Sequence, residues 1–425
     1  MPFTQPAHWA QAQFGHANLN DPRRTRRLVA LVTALAHQPG DCVSHLPLSP
    51  ADMEGGCGFI RSPHVSAEAI ANAGFAVTAA HARDHSLLLA LEDTTALTFN
   101  HASVKDQLGH TNQGSSRALL AHSVLLFAPH ERKVVGLAAQ QIWTRDVSKR
   151  EQSRQHATRP YQEKESYKWE QTAKTLAARL GSTLANVISV CDREADIYEY
   201  LHYKQKHTQR FVVRSMQSRC INEHDNKLYD YARQCQSAGT RVVKIPQRGG
   251  RKAREAVLDI KFARVTLKAP ANKRREPDIP LYYERRWLIE DYHKVWKSAG
   301  TRVEALRMQS RENLTRMSVI LAFIAVRLLQ LRFIKEEPAA QGESCKGVLG
   351  TKSWQLLWLK MEKRALPNEA PDIAWAYKSL AILGCWKDTK RTGRASIAVL
   401  WEGWFRLQTL LEGYELALSL EHQQL

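Results

Sequence analysis

Two apolar stretches of the chain each end in an aspartate, and this pattern sets the strongest limit on the fold. Residues 86–93 read SLLLALED, and residues 187–192 read VISVCD. A continuous apolar run of this length is typical of a strand buried on both faces, as in a sheet covered by helices. A carboxylate at the edge of such a strand is costly unless it binds a cation or a hydrogen-bond donor. The pattern therefore predicts an α/β protein in which Asp93 and Asp192 have a chemical role.

Further periodic segments extend this prediction. We expect strands at residues 123–128, 134–143 and 210–215, and helices at residues 165–180 and 314–335. Residues 241–268 alternate apolar and basic residues around a Gly-Gly pair. Such alternation predicts a strand ribbon with one cationic face.

The charge balance indicates a polyanionic partner. The 425 residues include 61 Lys and Arg against 42 Asp and Glu, a net charge of +19, which favours nucleic acid. A membrane surface is the weaker alternative, because the basic residues are spread along the whole chain. The longest apolar run is too short to span a bilayer and no leader opens the chain, so we expect a soluble, unexported protein. Seven cysteines without metal-ligand spacing are typical of reduced thiols.

A basic helix start stands near the N-terminus. Asp21 and Pro22 are typical of a helix start. Four arginines follow within the first turn and a half, namely Arg23, Arg24, Arg26 and Arg27. Positive charge there opposes the helix dipole, so contact with DNA phosphates is one explanation. A solvated basic patch is the other.

Composition divides the chain into three parts. We expect an N-terminal helical domain at residues 1–70, a catalytic α/β domain at 71–335 and a C-terminal helical domain at 336–425. The last part holds six of the 11 tryptophans. Leu400, Trp404, Leu407 and Leu411 have helical spacing, which suits either a core or a partner helix.

The most chemically distinctive segment is residues 282–300, YYERRWLIEDYHKVWKSAG. At about 100° per residue, four reactive side chains share an arc of about 60° on a helix. These are Tyr283, Arg286, Glu290 and Lys297. Pro280 and Gly300 suit the two ends of the helix. A solvated charged face is the alternative explanation as long as this helix is considered without the other acids of the chain.

Asp93, Asp192 and Glu290 are the three acids that we expect to come together. Such a set can hold two divalent metal ions about 3.5–4 Å apart, an arrangement suited to phosphoryl transfer. Oxygen ligands favour Mg²⁺ or Mn²⁺ over zinc.

The pattern Tyr283-x2-Arg286-x3-Glu290-x6-Lys297 resembles the Tyr-Arg-Glu-Lys signature of the insertion-sequence-four family of bacterial DDE transposases. Other segments resemble that family in the same order along nearly the whole chain. They are DPRRTRRL (21–28), FIRSPHVSAEAI (59–70), LEDTTALTF (91–99), EKESYKW (163–169), VCDREADIY (190–198), RFVVRS (210–215), KRTG (390–393) and LWEGW (400–404).

The resemblance implies a ribonuclease H-like catalytic core, with a strand-rich insertion at about residues 210–280, between helical domains for DNA-end binding and dimerisation. Asp93, Asp192 and Glu290 would be the catalytic triad and bind two Mg²⁺ or Mn²⁺ ions. Tyr283, Arg286, Lys297 and Arg214 would contact the DNA backbone, as would the four N-terminal arginines. The implied reaction is cut-and-paste transposition: nicking at the transposon end, a hairpin intermediate, and joining of the 3′-hydroxyl to target DNA. The implied partners are double-stranded DNA, both transposon ends and target, and a second copy in a homodimer, at the nucleoid of a bacterial cytoplasm.

One spacing departs from the family. Asp93 and Asp192 are 192 − 93 = 99 positions apart, as in the family, whereas Asp192 and Glu290 are 290 − 192 = 98 apart. The second spacing is about forty residues shorter than the family pattern. Residues 269–281, APANKRREPDIPL, contain neither a tryptophan for stacking a flipped base nor an apolar run for a core strand. We therefore expect weakened packing beneath the helix that bears Glu290.

Two alternatives to an active transposase follow. An internally deleted, catalytically impaired relative would bind transposon ends and inhibit transposition. A host ribonuclease H-like nuclease is the third reading, and the transposase-like segments on both sides of the core disfavour it.

Overall fold

A computed structural model describes the chain over residues 6–40, 43–46, 48–111, 117–146, 159–223, 227–245, 252, 254–268, 278–279, 287–333, 342–387, 389 and 395–423. The strands are β1 (Leu88–Thr98), β2 (Gly109–His110), β3 (Arg117–Ala128), β4 (Lys133–Trp143), β5 (Val187–Cys191), β6 (Arg210–Val213), β7 (Gly239–Ile245), β8 (Arg254–Ile260), β9 (Val265–Thr266) and β10 (Asp278–Ile279). The helices are α1 (Pro6–Phe14), α2 (Pro22–His37), α3 (Pro50–Arg61), α4 (Ala67–Ala82), α5 (Ala102–Lys105), α6 (Lys168–Leu180), α7 (Tyr198–Lys206), α8 (Leu228–Gln234), α9 (Trp287–Lys294), α10 (Arg311–Phe333), α11 (Lys346–Leu349), α12 (Thr351–Glu362), α13 (Ile373–Leu383) and α14 (Ile397–Gln423).

The main sheet is mixed and has β1 at its centre. Its strand order is β4, β3, β1, β5, β6, and the short β2 also pairs with β3. β1 is antiparallel to β3 and parallel to β5, and β5 is parallel to β6. The protein is therefore a mixed α/β fold, as the two apolar runs predict.

Alternate residues of β1 enter two different cores, because side chains of a strand alternate between its faces. Leu88 and Ala90 pack with Leu176 and Leu180 of α6. Leu91 belongs to the larger core, which also contains α9, α10 and the N-terminal helices. Helices thus cover both faces, which explains why residues 87–91 are continuously apolar.

The predicted strands at 123–128, 134–143, 187–192 and 210–215 are present. β3 begins earlier than predicted, at Arg117, and the ends of the other three differ by one or two residues. One detail of the prediction for β1 is wrong. The strand does not end at Asp93 but continues to Thr98, because its antiparallel pairing with β3 runs on to that residue. Only the parallel pairing with β5 stops just before Asp93.

Helix α2 begins as its sequence predicts. Pro22 is its first residue, and the Asp21 side chain caps the helix by accepting the backbone N–H of Arg23 at 2.8 Å. Leu28 and Leu35 of this helix are buried in the large core. The N-terminal helices are therefore packed onto the body that contains the sheet.

The expected strand ribbon is present as the antiparallel pair β7 and β8, and its single cationic face stays a prediction. Its Gly-Gly turn, Gly249 and Gly250, lies outside the described residues. Within residues 269–281, where the sequence offers no strand, the two-residue strand β10 pairs with β9. This is a correction to the sequence prediction, although two residues do not make a core strand.

Helix α9 lies on a filled core. Ile289, Tyr292, Val295 and Trp296 are each 0% exposed, and the Trp296 indole N–H donates to the Ser318 carbonyl of α10 at 3.1 Å. The helix therefore does not lack packing over its described length, contrary to the expectation from the short segment before it. After α9 the backbone widens into a π-helical turn at Val295–Ala299.

The C-terminal helices α12, α13 and α14 enclose a core of their own. It contains Trp354, Leu357 and Leu380, and Leu407 is completely buried in it. Trp401 of α14 instead joins the large core. Of the predicted stripe on α14, Trp404 and Leu407 therefore pack internally, whereas Leu400 and Leu411 are half-buried.

No helix in the described part of the chain is long and apolar enough to cross a membrane. The cysteines within the described residues are free thiols, namely Cys57, Cys191, Cys220, Cys235, Cys345 and Cys385.

Candidate active site at the end of the parallel strands

Asp93 and Asp192 lie side by side where the parallel pairing of β1 and β5 ends. The last pair of that ladder is Glu92 with Cys191, and each aspartate is the next residue of its chain. Side chains alternate along a strand, so both aspartates are directed away from the face where Glu92 and Cys191 are buried. The prediction that two strands bring their acids to one edge agrees with this register.

Arg214 stands at the same edge. It follows β6, the third parallel strand, and its backbone N–H donates to the Cys191 carbonyl at 3.4 Å. Its side chain is exposed. Behind it, Asp196 fixes the loop by accepting from Met216 N–H at 2.8 Å and from Arg219 Nε at 2.8 Å. The loop therefore holds Arg214 near the strand ends while leaving its guanidinium open.

Glu290 and Lys297 reach the edge from the other side, on α9 and the π-helical turn. They line one open pocket of about 360 Å³ together with Asp93. Glu290 is exposed, whereas its neighbours Leu288 and Ile289 are buried. The structure thus brings three of the predicted residues around one pocket, with Glu290 on the solvent side of an amphipathic helix.

His293 links this helix to β1. It is 5% exposed, and its Nδ1 lies 3.6 Å from Asp93 Oδ2. Burial lowers the pKa of His293, and the neighbouring Asp93 opposes that shift. The ring therefore lies one helical turn beyond Glu290 and directly beside the first aspartate.

Lys297 is engaged by an acid that the sequence analysis did not select. Its Nζ lies 3.4 Å from Glu304 Oε1. The same oxygen accepts the backbone N–H of Thr98 at 2.9 Å. Glu304 also lines the pocket, so the pocket wall contains an ion pair that ties the helix to the end of β1.

A buried polar cluster lies on the opposite face of the strands. Glu92 and His122 are both completely buried, with Nε2 of His122 3.7 Å from a Glu92 carboxylate oxygen. The other ring nitrogen of His122 hydrogen-bonds to Thr94 Oγ1 at 3.0 Å. Lys204, 2% exposed, donates to Ser189 Oγ at 2.8 Å.

The charges of this cluster compensate one another. Burial alone would raise the pKa of Glu92, but His122 and Lys204 outweigh it and hold that pKa below its ordinary value. Burial lowers the pKa of Lys204, and Glu92 opposes this shift. A buried charge is tolerable only with such a partner, so the cluster constrains the two strands one residue away from Asp93 and Asp192.

A second charged cluster joins segments 163–169 and 190–198, both of which carry the family resemblance. Arg145 makes a bidentate contact with Glu165, with N–O distances of 2.6 and 2.7 Å. Lys168, buried beside them, lies 3.8 Å from Glu165 and 3.4 Å from Glu194. Asp192 accepts the Glu194 backbone N–H at 2.8 Å. Segment 163–169 is thereby anchored next to Asp192.

The donor chemistry of the predicted acids suits hard divalent cations, since carboxylate oxygens are the ligands that Mg²⁺ and Mn²⁺ prefer. Asp93 and Asp192 supply two such groups from adjacent strands, and Glu290 faces the pocket beside Asp93. Across the residues that the structure describes, however, no group of three or more His, Cys, Asp or Glu side chains is arranged so that it could hold a metal ion.

The remaining predicted DNA contacts divide into two groups. Tyr283 and Arg286 lie outside the described residues. The four arginines are on α2, and three of them have partners within the protein: Arg23 with Asp21 at 3.2 Å, Arg24 with the Leu19 carbonyl at 3.0 Å, and Arg27 with Asp52 at 3.0 Å. Arg26 is exposed and lines an open groove with Asp21 and Pro22.

Sequence reasoning missed His293 and Glu304. The signal for His293 was available, because three residues after Glu290 is the neighbouring position on the same helix face. No comparable signal marks Glu304, whose contact with Thr98 spans 206 positions of sequence.

Fold and site together define a mixed α/β protein with a pocket of acidic and basic side chains at the end of its parallel strands, and with one basic helix, α2, near its N-terminus. Residues 6–65, which include α1, α2 and α3, match the family model described as Transposase DNA-binding. The match indicates a transposase DNA-binding domain in this part of the chain.

Proposed function

We propose that this protein is a DDE transposase that binds transposon ends, cuts them and joins them to target DNA. The observation that carries the proposal is the pocket in which Asp93, Glu290 and Lys297 meet, in a chain whose N-terminal residues match a transposase DNA-binding family. A +19 chain is also suited to a polyanionic substrate.

The finer assignment is to the insertion-sequence-four family, with a resemblance to the transposase of transposon Tn-five. It is supported by the order of the resembling segments along the chain. The mixed sheet with β1 between β3 and β5 supports a ribonuclease H-like core. A homodimer, with the C-terminal helices at its interface, is part of the same proposal.

Asp93, Asp192 and Glu290 are the residues that would hold two Mg²⁺ or Mn²⁺ ions. When bound, such ions stabilise the negative charge that develops on the attacking and leaving oxygens of phosphoryl transfer. His293 positions Asp93, and the buried Glu92 cluster fixes the strands beneath both aspartates.

The cations of the site would hold the DNA backbone. Lys297 borders the pocket, Arg214 extends from the strand edge, and Arg286 and the phenol Tyr283 precede Glu290 by four and seven residues in the sequence. Charge-assisted contacts to phosphate are short and strong, so they would fix the phosphodiester for in-line attack.

The proposed reaction is a sequence of displacements at phosphorus. In the first, a water oxygen bonds to the phosphorus at the transposon end and the 3′-oxygen leaves as a hydroxyl. That hydroxyl then attacks a phosphorus of the opposite strand to give a hairpin, and the 3′-oxygen of the flanking DNA leaves as a hydroxyl. Water opens the hairpin at the same phosphorus and releases the 3′-hydroxyl of the transposon end. This hydroxyl finally attacks a phosphorus of target DNA, from which a target 3′-oxygen leaves as a hydroxyl. No covalent bond between protein and DNA is required.

Cleavage of DNA carrying the inverted repeats that flank the gene tests the proposal. The full chain with Mg²⁺ should nick this DNA, and Asp93→Asn, Asp192→Asn and Glu290→Gln should each abolish nicking while retaining DNA binding. Asp84→Asn, an exposed aspartate on the turn before β1, is the matched control and should cleave normally. Cleavage that persists in all three site variants would exclude this active site.

The short spacing between Asp192 and Glu290 supports a second candidate. A chain that binds ends but does not cut them would act as an inhibitor of transposition. In that case the wild-type chain and Asp192→Asn would bind end DNA equally and neither would nick it. Added to an active relative, both would reduce its cleavage.

A further inference from the structure

We propose that Glu304 is a placeholder for a DNA phosphate. Its carboxylate forms an ion pair with Lys297 in the free protein, and a phosphate of the DNA backbone takes over this ion pair when DNA enters the pocket. The identity of the ligand as DNA rests on the proposed function. The ion pair itself is a feature of this chain, at the wall of the pocket that contains Asp93 and Glu290.

One oxygen of Glu304 makes both contacts. Oε1 lies 3.4 Å from Lys297 Nζ and accepts the Thr98 backbone N–H at 2.9 Å. The bond to Thr98 is the shorter one and has the geometry of a true hydrogen bond. Glu304 can therefore release Lys297 without losing its attachment to β1.

The position of the pair suits exchange with a ligand. The side chain of Lys297 is 30% exposed and that of Glu304 is 27% exposed, so an incoming anion can reach the ammonium group. Partial burial also limits screening by solvent, which gives the pair more influence than a fully exposed one. A phosphate at Lys297 would bring like charge close to Glu304, so the two anions would compete for one cation.

The segment that bears Glu304 is itself held in place. Ser103 Oγ donates to the Met308 carbonyl at 2.8 Å, and the Arg311 backbone N–H donates to Gln107 Oε1 at 2.8 Å. These bonds attach the stretch between the π-helical turn and α10 to the region after β1. The carboxylate is therefore a fixed competitor, whereas Lys297 has a flexible side chain that can turn toward DNA.

Glu304→Gln tests the exchange, because glutamine still accepts the Thr98 N–H but carries no charge. DNA binding is measured by fluorescence anisotropy on the full chain, with duplex end DNA in EDTA, over a series of salt concentrations. We expect about 3-fold tighter binding for the variant at low salt. The slope of log K against log[salt] should become steeper by up to about 0.9, since Glu304 no longer takes up a counterion when Lys297 binds phosphate.

A double-mutant cycle separates the placeholder from a general charge effect. Glu304→Gln in a Lys297→Ala background should leave affinity unchanged, because there is no ammonium group to release. An equal gain in both backgrounds would overturn the placeholder. Glu402→Gln, which removes the same charge from an exposed pair with Arg406 at 3.0 Å, is the control and should change affinity little.

Folding is checked by thermal unfolding of each variant. If Glu304→Gln does not fold, Glu304→Asp takes its place: it keeps the charge but is shorter by one methylene, so contact with Lys297 weakens and a smaller gain in affinity is expected. Unchanged or weaker DNA binding by a folded Glu304 variant would contradict the inference and leave Glu304 as a structural link only.

The EDTA binding assay is independent of cleavage. Coupling between Glu304 and Lys297 in a chain that never nicks DNA would support the placeholder and count against the proposed enzyme. Normal nicking without coupling between Glu304 and Lys297 would support the proposed enzyme and count against the placeholder.

Discussion

The Nδ1 atom of His293 lies 3.6 Å from Oδ2 of Asp93, joining the helix that bears Glu290 to the central strand. In the proposed function Asp93 is a metal ligand, and groups that orient such a ligand affect activity by about 10- to 100-fold when removed. We therefore expect His293→Ala to slow Mg²⁺-dependent cleavage by about that factor while DNA binding in EDTA is unchanged.

His293→Asn is the conservative variant, because its side-chain amide can present a donor near the Nδ1 position. It should recover part of the lost rate. Wild-type cleavage by His293→Ala, measured on the folded protein, would show that the contact does not position Asp93.

Arg26 is an exposed arginine of helix α2 that lines an open groove, whereas the other three of the basic cluster contact protein groups. Removing one phosphate contact lowers the salt slope of DNA binding by about 0.9. Arg26→Ala should show this change in a salt titration of end binding, and Arg26→Lys, which keeps the charge, should not. A slope that is the same for all three proteins would place Arg26 outside the DNA interface.

Lys204 should be essential for stability because it compensates the buried Glu92. Breaking a buried charge pair by removing one partner costs about 3–5 kcal/mol, so Lys204→Met should lower the free energy of unfolding in denaturant by about that amount. Removing both charges is far less costly. The double variant Lys204→Met with Glu92→Gln should therefore be more stable than Lys204→Met alone, and the opposite order would refute the pairing.

The contact between Arg145 and Glu165 predicts a pH dependence of stability. Burial alone would raise the pKa of Glu165, but the hydrogen bonds and charge of Arg145 outweigh it and lower the pKa from its ordinary value of 4.5. A carboxyl group whose pKa is lower in the folded state stabilises the protein above its unfolded pKa and loses this effect as the pH falls through the folded value.

Urea unfolding at pH 7 and at acidic pH measures this effect. Wild type should lose more stability below pH 4.5 than Glu165→Gln does, because the variant has no proton to bind at this position. Equal losses for the two proteins would mean that the ion pair is not formed in solution.

Two glycines set the crossing of α13 and α14. A Cβ atom at Gly403 would collide with the Leu380 carbonyl, and one at Gly384 would collide with the Val399 carbonyl. Gly403→Ala should therefore destabilise the protein by about 1–3 kcal/mol through overpacking.

Gly413 is the matched control on the same helix, since nothing lies within 4 Å of a Cβ built there. Gly413→Ala should stabilise the helix by about 0.5–1 kcal/mol, because alanine loses less backbone entropy than glycine. Thermal unfolding of the two variants should give shifts of opposite sign.

Much of the scaffold follows from the sequence because its causes are local. The continuous apolar runs before Asp93 and Asp192 indicate strands buried on both faces. Successive side chains of β1 enter two different cores, which agrees with this prediction. Asp21 and Pro22 start α2 through a cap that needs only adjacent residues. The buried positions Ile289 and Val295 also follow from helical periodicity.

The tertiary structure decided which of these elements meet. The alignment of Asp93 with Asp192 depends on the register between β1 and β5, which no local pattern contains, and strand β1 extends past Asp93 because β3 pairs with it. The contacts of His293 with Asp93 and of Glu304 with Thr98 join positions far apart in the chain. Sequence periodicity tells which face of an element is apolar, but distance in space is set by how those faces pack, and the charged pocket exists only where three elements pack together.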